Sequence, residues 1–201
     1  MAKLVAVVKV LIAGAEGSGK RELVESISDV ITDSSPMGAS RFGRGGRART
    51  HHALEFGQID VDASVAVQLY VLPADRQSDF MWQILGQDAV GFVVLASADS
   101  IADLDDTRHM LSVLSRTPIP FVVGVNGAEA GNPAIIAQAR AGLQVGPEVV
   151  VRSCDCTDRE SVKALLCELF RCIAASLPDR PGQSATPDGG GVVNKSENAL
   201  S

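Results

Sequence analysis

The feature that most constrains the fold is an apolar run that leads straight into a glycine-rich segment. Leu4–Ala13 is apolar apart from Lys9, and the next residues read Gly14-Ala-Glu-Gly-Ser-Gly-Lys20, here called the glycine loop. Apolar residues then recur at helical spacing up to Ile31. A buried strand, a glycine loop and an amphipathic helix in this order predict an α/β fold with a mostly parallel sheet.

The glycine loop satisfies the pattern GxxxxGK. Glycines let successive backbone N–H groups curl round a phosphate without Cβ clashes, while Lys20 and the start of the following helix add positive charge. The pattern therefore predicts a phosphate-binding loop made of Gly14, Ala15, Glu16, Gly17, Ser18, Gly19, Lys20 and Arg21. The alternative is a plain glycine-rich turn between a strand and a helix. In the full pattern a Ser or Thr hydroxyl that holds Mg²⁺ follows the lysine, whereas this chain has Arg21.

Composition excludes several classes of function. The net charge of −6 argues against general nucleic-acid binding. No apolar stretch approaches the roughly 18 residues of a membrane-spanning helix, so we expect a cytoplasmic protein without a transmembrane segment. The cysteines form no CxxC pair and have no nearby histidines, which predicts reduced thiols and no metal site. They are Cys154, Cys156, Cys167 and Cys172.

The first half of the chain predicts one helix, two strands and two loops. Residues 33–52 are rich in Gly, Ser and Arg, and 73–82 begin with a second polar stretch, so both are expected to be mobile surfaces. The basic loop at 33–52 could fold over bound phosphates or an acidic partner, or it could simply be solvated. The predicted elements are a helix at Lys20–Ile31 and strands at Ala53–Ile59 and Val65–Leu72.

The second half predicts three strand–helix units followed by a disordered tail at 177–201, which leaves 1–176 as the folded domain. The whole order predicts about six strands in a mostly parallel sheet, with one antiparallel edge strand and helices on both faces. Ligands of such sheets bind at the carboxyl ends of the strands. The expected strands are Val90–Ala96, Ile119–Val125 and Val149–Val151, and the expected helices are Ile101–Leu114, Pro133–Ala141 and Ser161–Ser176.

Five segments together resemble a known family. They are the glycine loop, LEFGQI at 54–59, FMW at 80–82, AVGFVVL at 89–95 and PFVVGVN at 120–126. From about residue 8 to 175 the chain is similar to small Ras-like GTPases, and more narrowly to bacterial ones related to the gliding-motility GTPase and encoded in actinobacterial conservons beside roadblock-type proteins. The resemblance implies a Ras-like P-loop NTPase fold.

The resemblance also implies a ligand, GTP or GDP, and residues that contact it. Asn126 matches the first residue of the family's NKxD motif, and the carboxylate of that motif falls on Glu129, where it could accept hydrogen bonds from guanine. The family's last base-contacting turn falls on Ser153, Cys154 and Asp155. A protein partner is implied as well, with roadblock-type proteins as the candidate class.

The catalytic residues of the family are replaced. Its TPGQ segment corresponds to Leu72-Pro73-Ala74-Asp75, so the glycine that contacts the γ-phosphate and the glutamine that positions water are both absent. Asp75 and Gln77 are the remaining catalytic candidates. Together with Arg21, these changes remove most of the groups that hold Mg²⁺ or position water, so Mg²⁺ could bind only without its usual ligands. The resemblance therefore implies a guanine-nucleotide-binding switch or scaffold with weak or absent hydrolysis; the alternatives are a nucleotide-independent interaction module and a hydrolase with unusual Mg²⁺ coordination.

Overall fold

A seven-stranded sheet organises the computed structural model, which describes residues 6–34, 54–74, 86–97, 101–127 and 132–177. The strands lie in the order β2-β3-β4-β1-β5-β6-β7. Antiparallel pairing is confined to one edge, where β3 lies between β2 and β4, and the other neighbours are parallel. The strands are β1 (Ala6–Gly14), β2 (Val30–Ser34), β3 (Leu54–Asp60), β4 (Val65–Val71), β5 (Ala89–Ser97), β6 (Phe121–Asn126) and β7 (Val150–Cys154).

Helices cover both faces of the sheet, as the sequence predicts. Within the described ranges these helices are α1 (Lys20–Ile27), α2 (Ile101–Leu114), α3 (Pro133–Leu143) and α4 (Arg159–Ser176). Helices α1 and α4 pack with Val10 and Ile12 of β1 in one core, and α2 and α3 pack with Leu11 and Ala13 in the other. Because successive strand residues point to opposite faces, the continuous apolar run of β1 serves both cores. None of the helices in the described part of the chain is long and apolar enough to cross a membrane.

The end of the first helix differs from the prediction. Helix α1 ends at Ile27 instead of Ile31, and Val30–Ser34 forms β2, which pairs antiparallel with β3. Ser28 already has extended backbone angles, with φ −73° and ψ 141°. The β-branched residues Val30 and Ile31 fit an edge strand, and the available edge of β3 decides their conformation. Among the described residues the sheet therefore has seven strands instead of about six, and residues 33 and 34, predicted as part of a loop, belong to β2.

Asp29 holds the turn between α1 and β2 in place. Its carboxylate accepts hydrogen bonds from the Asp60 amide and from the Arg159 guanidinium, each at 3.1 Å. Both contacts lower the pKa of the Asp29 carboxyl. The hydrogen bond from the Asp60 amide has the larger effect, and the one from the Arg159 guanidinium has the smaller effect. The turn is thereby tied to the end of β3 and to the start of α4.

The remaining predicted elements agree with the structure to within three residues. Helix α4 begins two residues earlier than predicted, at Arg159, because the Asp158 side chain accepts hydrogen bonds from the first-turn amides of Glu160 and Ser161. The loops predicted at 33–52 and 73–82 and the tail predicted at 177–201 lie largely outside the described residues.

Gly57 of β3 leaves the space into which α1 packs. A Cβ atom at this position would overlap Ser28 Oγ and lie 2.5 Å from Val24 Cγ1. We therefore expect Gly57→Ala to lower the free energy of unfolding by about 1–3 kcal/mol, the usual cost of overpacking. Urea denaturation measures this change.

Gly86→Ala is the matched control, because its Cβ would lie 3.8 Å from the nearest side-chain atom, Phe92 Cζ. Equal urea midpoints for the two variants would contradict the close packing of α1 on β3.

Candidate functional site

The carboxyl ends of five parallel strands meet at one rim of the sheet. Gly14 at the end of β1 is in register with Leu95 of β5. Asn126 at the end of β6 is in register with Ser97 on one side and Cys154 on the other. The glycine loop, Asn126 and the turn after β7 are consequently brought together, as the order of elements predicts.

The end of the glycine loop has a backbone conformation that favours glycine. Gly14, Gly17 and Gly19 have φ values of 148°, 75° and 98°. Gly19 immediately precedes α1, and a Cβ there would overlap the Asn126 amide nitrogen and lie 3.0 Å from Cys156 Sγ. Both the left-handed conformation and the close approach of Asn126 therefore exclude a side chain at Gly19.

Lys20, the first residue of α1, folds back along the glycine loop. Its ammonium donates hydrogen bonds to the carbonyl oxygens of Gly14, at 2.8 Å, and Ala15, at 2.6 Å. The side chain is partly buried. A full positive charge is thus held at the loop, next to the positive end of the α1 dipole.

Several backbone amides of the loop have no acceptor within the part of the chain that the structure describes. The Ser18 amide donates to Ala15 O at 3.3 Å. The amides of Glu16, Gly17 and Gly19, in contrast, donate to no acceptor among the described residues. A curl of such N–H groups beside an ammonium is complementary to an anion with several acceptor oxygens.

The hydroxyl of Ser18 is a further unsatisfied group of the loop. Ser18 is 0% exposed, and its Oγ has no hydrogen-bond partner among the described residues. A Cβ on Gly14 would lie 2.6 Å from this oxygen, so the hydroxyl packs against the start of the loop. Buried hydroxyls normally have a partner, because leaving one unsatisfied costs about 1–3 kcal/mol.

Asn126 connects the loop to the turn after β7. Its amide nitrogen donates to Ser18 O, and its amide oxygen accepts from the Cys156 amide, both at 3.2 Å. The two bonds fix the orientation of the side-chain amide. A flipped amide would place two acceptors together at Ser18 O and two donors together at the Cys156 amide. One side chain at the end of β6 thereby sets the position of the loop relative to the turn.

The thiols of Cys154 and Cys156 lie in the core beneath this connection. Both residues are about 1% exposed or less, and their thiols hydrogen-bond to each other. This hydrogen bond, together with burial, raises the pKa of the Cys156 thiol. The thiol stays protonated at neutral pH, so it contributes packing and not nucleophilic chemistry.

The predicted base-contacting turn divides into buried and exposed positions. Cys154 belongs to the core, Ser153 is partly buried, and Asp155 is exposed. The Asp155 carboxylate accepts hydrogen bonds from the Thr157 hydroxyl at 2.7 Å and from the Thr157 amide at 2.9 Å, and these contacts lower its pKa. Asp155 therefore shapes the turn that presents the Cys156 amide to Asn126.

The described residues do not fit a Mg²⁺ site. Arg21 occupies the position of the expected hydroxyl ligand, and its Nε donates to Glu25 Oε1 at 2.7 Å. At the end of β4 the fully buried Leu72 has no side-chain oxygen. The described ranges contain no group of three His, Cys, Asp or Glu residues that could hold a metal ion. Guanidinium nitrogens carry no lone pair for a cation, so Arg21 cannot replace the oxygen ligand that Mg²⁺ would have at this position.

Three predicted site residues, Asp75, Gln77 and Glu129, lie outside the described residues. The predicted site residues did not include Cys156, whose backbone amide donates a hydrogen bond to the side-chain oxygen of Asn126. The turn pattern Asp-Cys-Thr-Asp directly after a strand is the signal that could have indicated it.

The glycine loop, Lys20 and Asn126 therefore form one connected unit at the rim. The chain matches no protein-family model and no curated protein sequence.

Proposed function

We propose that this protein binds guanine nucleotides through a Ras-like P-loop fold and acts as a switch or scaffold with weak or absent GTP hydrolysis. One observation supports this most: one short loop at the carboxyl end of β1 holds the ammonium of Lys20 and the amides of Glu16, Gly17 and Gly19, which have no acceptor among the described residues. Phosphate oxygens are the acceptors that match such a loop. The location is proposed to be cytoplasmic, with a protein partner of the roadblock type.

The energetics support phosphate more than a neutral ligand. A hydrogen bond to a charged group contributes about 1.5–3 kcal/mol, and the loop offers amide donors and an ammonium to one ligand. Several such contacts together contribute more binding free energy than association costs by the lower estimates, which begin at about 4 kcal/mol. Neutral ligands would make weaker bonds to the same donors.

The choice of guanine depends on two residues with separate roles. The Asn126 amide already bonds to Ser18 O and the Cys156 amide, so we propose that it positions the loop relative to the base. The carboxylate of Glu129 is proposed to accept from the guanine N1 and 2-amino groups. Adenine lacks that pair of donors, so GTP and GDP should bind more tightly than ATP.

Weak hydrolysis follows from the end of β4. Leu72 is fully buried there and Pro73 and Ala74 follow, so none of these residues can position a water molecule or contact the γ-phosphate through a polar side chain. Asp75 and Gln77 remain the catalytic candidates for a slow reaction.

The alternative is an interaction module that binds no nucleotide. One contact favours it: the Lys20 ammonium is already bonded to Gly14 O and Ala15 O, so part of the charge of the loop is satisfied internally. Such a module would use the same fold solely to present its surface to a protein partner.

Titration with fluorescent GTP, GDP and ATP separates these functions. We expect saturable binding of GTP and GDP, with ATP weaker by about tenfold because it lacks the guanine donors. Absence of binding by all three nucleotides would favour the interaction module. Tighter binding of ATP would contradict the role of Glu129, and rapid phosphate release would contradict weak hydrolysis.

A further inference from the structure

We infer that the glycine loop binds the phosphates of its nucleotide without Mg²⁺, and that the Arg21 guanidinium supplies the positive charge that a divalent cation supplies in other nucleotide-binding loops. This inference rests on the proposed function and describes how the same site neutralises its ligand. Nucleotide-binding loops of this type ordinarily place Mg²⁺ on a hydroxyl directly after the lysine. The described residues do not provide that ligand or a replacement for it.

The position of Arg21 carries the inference. It is the second residue of α1, directly after Lys20, and its side chain is 60% exposed. A guanidinium in this first turn repels a cation that approaches the loop. The same guanidinium attracts phosphate oxygens, which it can bind through two parallel N–H groups.

The contact with Glu25 is compatible with this role of Arg21. Arg21 Nε donates to Glu25 Oε1 one turn further along α1, and the Glu25 side chain is 48% exposed. Exposed ion pairs one turn apart are weak, so a multiply charged phosphate competes successfully with Glu25 for the guanidinium. Glu25 then serves to hold the side chain near the helix surface until the ligand binds.

The charges around the loop suit this arrangement. Lys20 and Arg21 are adjacent cations, and Glu16 is the acidic residue within the loop itself. Among the described positions, the Leu72 side chain at the end of β4 is apolar and the Ser18 hydroxyl is fully buried against the loop. The described part of the site thus neutralises phosphate with side-chain cations.

Fluorescent GDP titrations in Mg²⁺ and in EDTA test the inference. For the natural protein we expect dissociation constants that agree within about threefold in the two buffers. Arg21→Ser should bind about tenfold more weakly in EDTA and regain affinity in Mg²⁺, because serine restores the missing hydroxyl ligand. Arg171→Ser is the matched control, since Arg171 is also exposed and paired with a glutamate on its own helix.

The outcomes distinguish the inference from the proposed function. If Mg²⁺ strengthens the binding of GDP to the natural protein by about tenfold or more, the inference is overturned. Nucleotide binding itself would remain supported. An Arg21→Ser variant that binds in EDTA as tightly as the natural protein would overturn the role of Arg21. Absence of binding in both buffers would contradict the proposed function itself. Circular dichroism of each variant shows that any loss of affinity occurs in folded protein.

Discussion

Replacing Lys20 with alanine is expected to weaken binding of GDP by about 10- to 150-fold, because a charge-assisted bond to phosphate contributes about 1.5–3 kcal/mol. The ammonium now bonds to the carbonyls of Gly14 and Ala15, and it is the fixed positive charge of the loop. Fluorescence titration of folded variant protein measures the change. The loss should be present in both Mg²⁺ and EDTA.

Lys163→Ala provides the control for Lys20→Ala. Lys163 is an exposed helical lysine that pairs with Glu160 one turn away, so its removal changes the net charge equally without touching the loop. We expect its affinity to equal that of the natural protein. Unchanged affinity in the Lys20→Ala variant would favour the nucleotide-independent module.

The second large effect is expected for Asn126→Asp. This substitution preserves the shape of the side chain but replaces the donor to Ser18 O with an acceptor oxygen, which faces the carbonyl at 3.2 Å. The free energy of unfolding should fall by about 1–3 kcal/mol, the cost of leaving partly buried groups unsatisfied. Nucleotide affinity should fall by about tenfold, because the loop is no longer held against the turn after β7.

Asn132→Asp is the matched control for this change. Asn132 caps α3 by accepting from the Ala134 amide, and aspartate caps a helix equally well. Urea denaturation and GDP titration should therefore give unchanged values for Asn132→Asp. Equal behaviour of the two variants would contradict the positioning role of Asn126.

The region from β1 through the first part of α1 could be predicted from sequence because its signals are local. Continuous apolar residues, glycines and then helical spacing describe consecutive segments of the chain. Val30 and Ile31 show where such reasoning fails, since their spacing from Ile27 fits a helix while the structure places them in β2. The edge of β3, more than twenty residues away in sequence, determines that outcome.

The location of Lys20 and Asn126 at one rim could be predicted from the sequence, but not all of the contacts there. The motif indicates Lys20 and Asn126 because each follows a strand at the same rim. It does not indicate that Asn126 bonds to Ser18 and Cys156, because nothing local to the sequence shows that these segments are adjacent. The same pattern places Arg21 directly after the lysine, where other nucleotide-binding loops have a hydroxyl.

Backbone amide NMR tests phosphate binding by the glycine loop most directly, because it observes the donors themselves. On addition of GDP, the N–H resonances of Glu16, Gly17 and Gly19 should move as these amides gain phosphate acceptors, while that of Val123 in the middle of β6 should stay in place. If the three loop resonances do not move at saturating GDP, this result contradicts nucleotide binding at this loop.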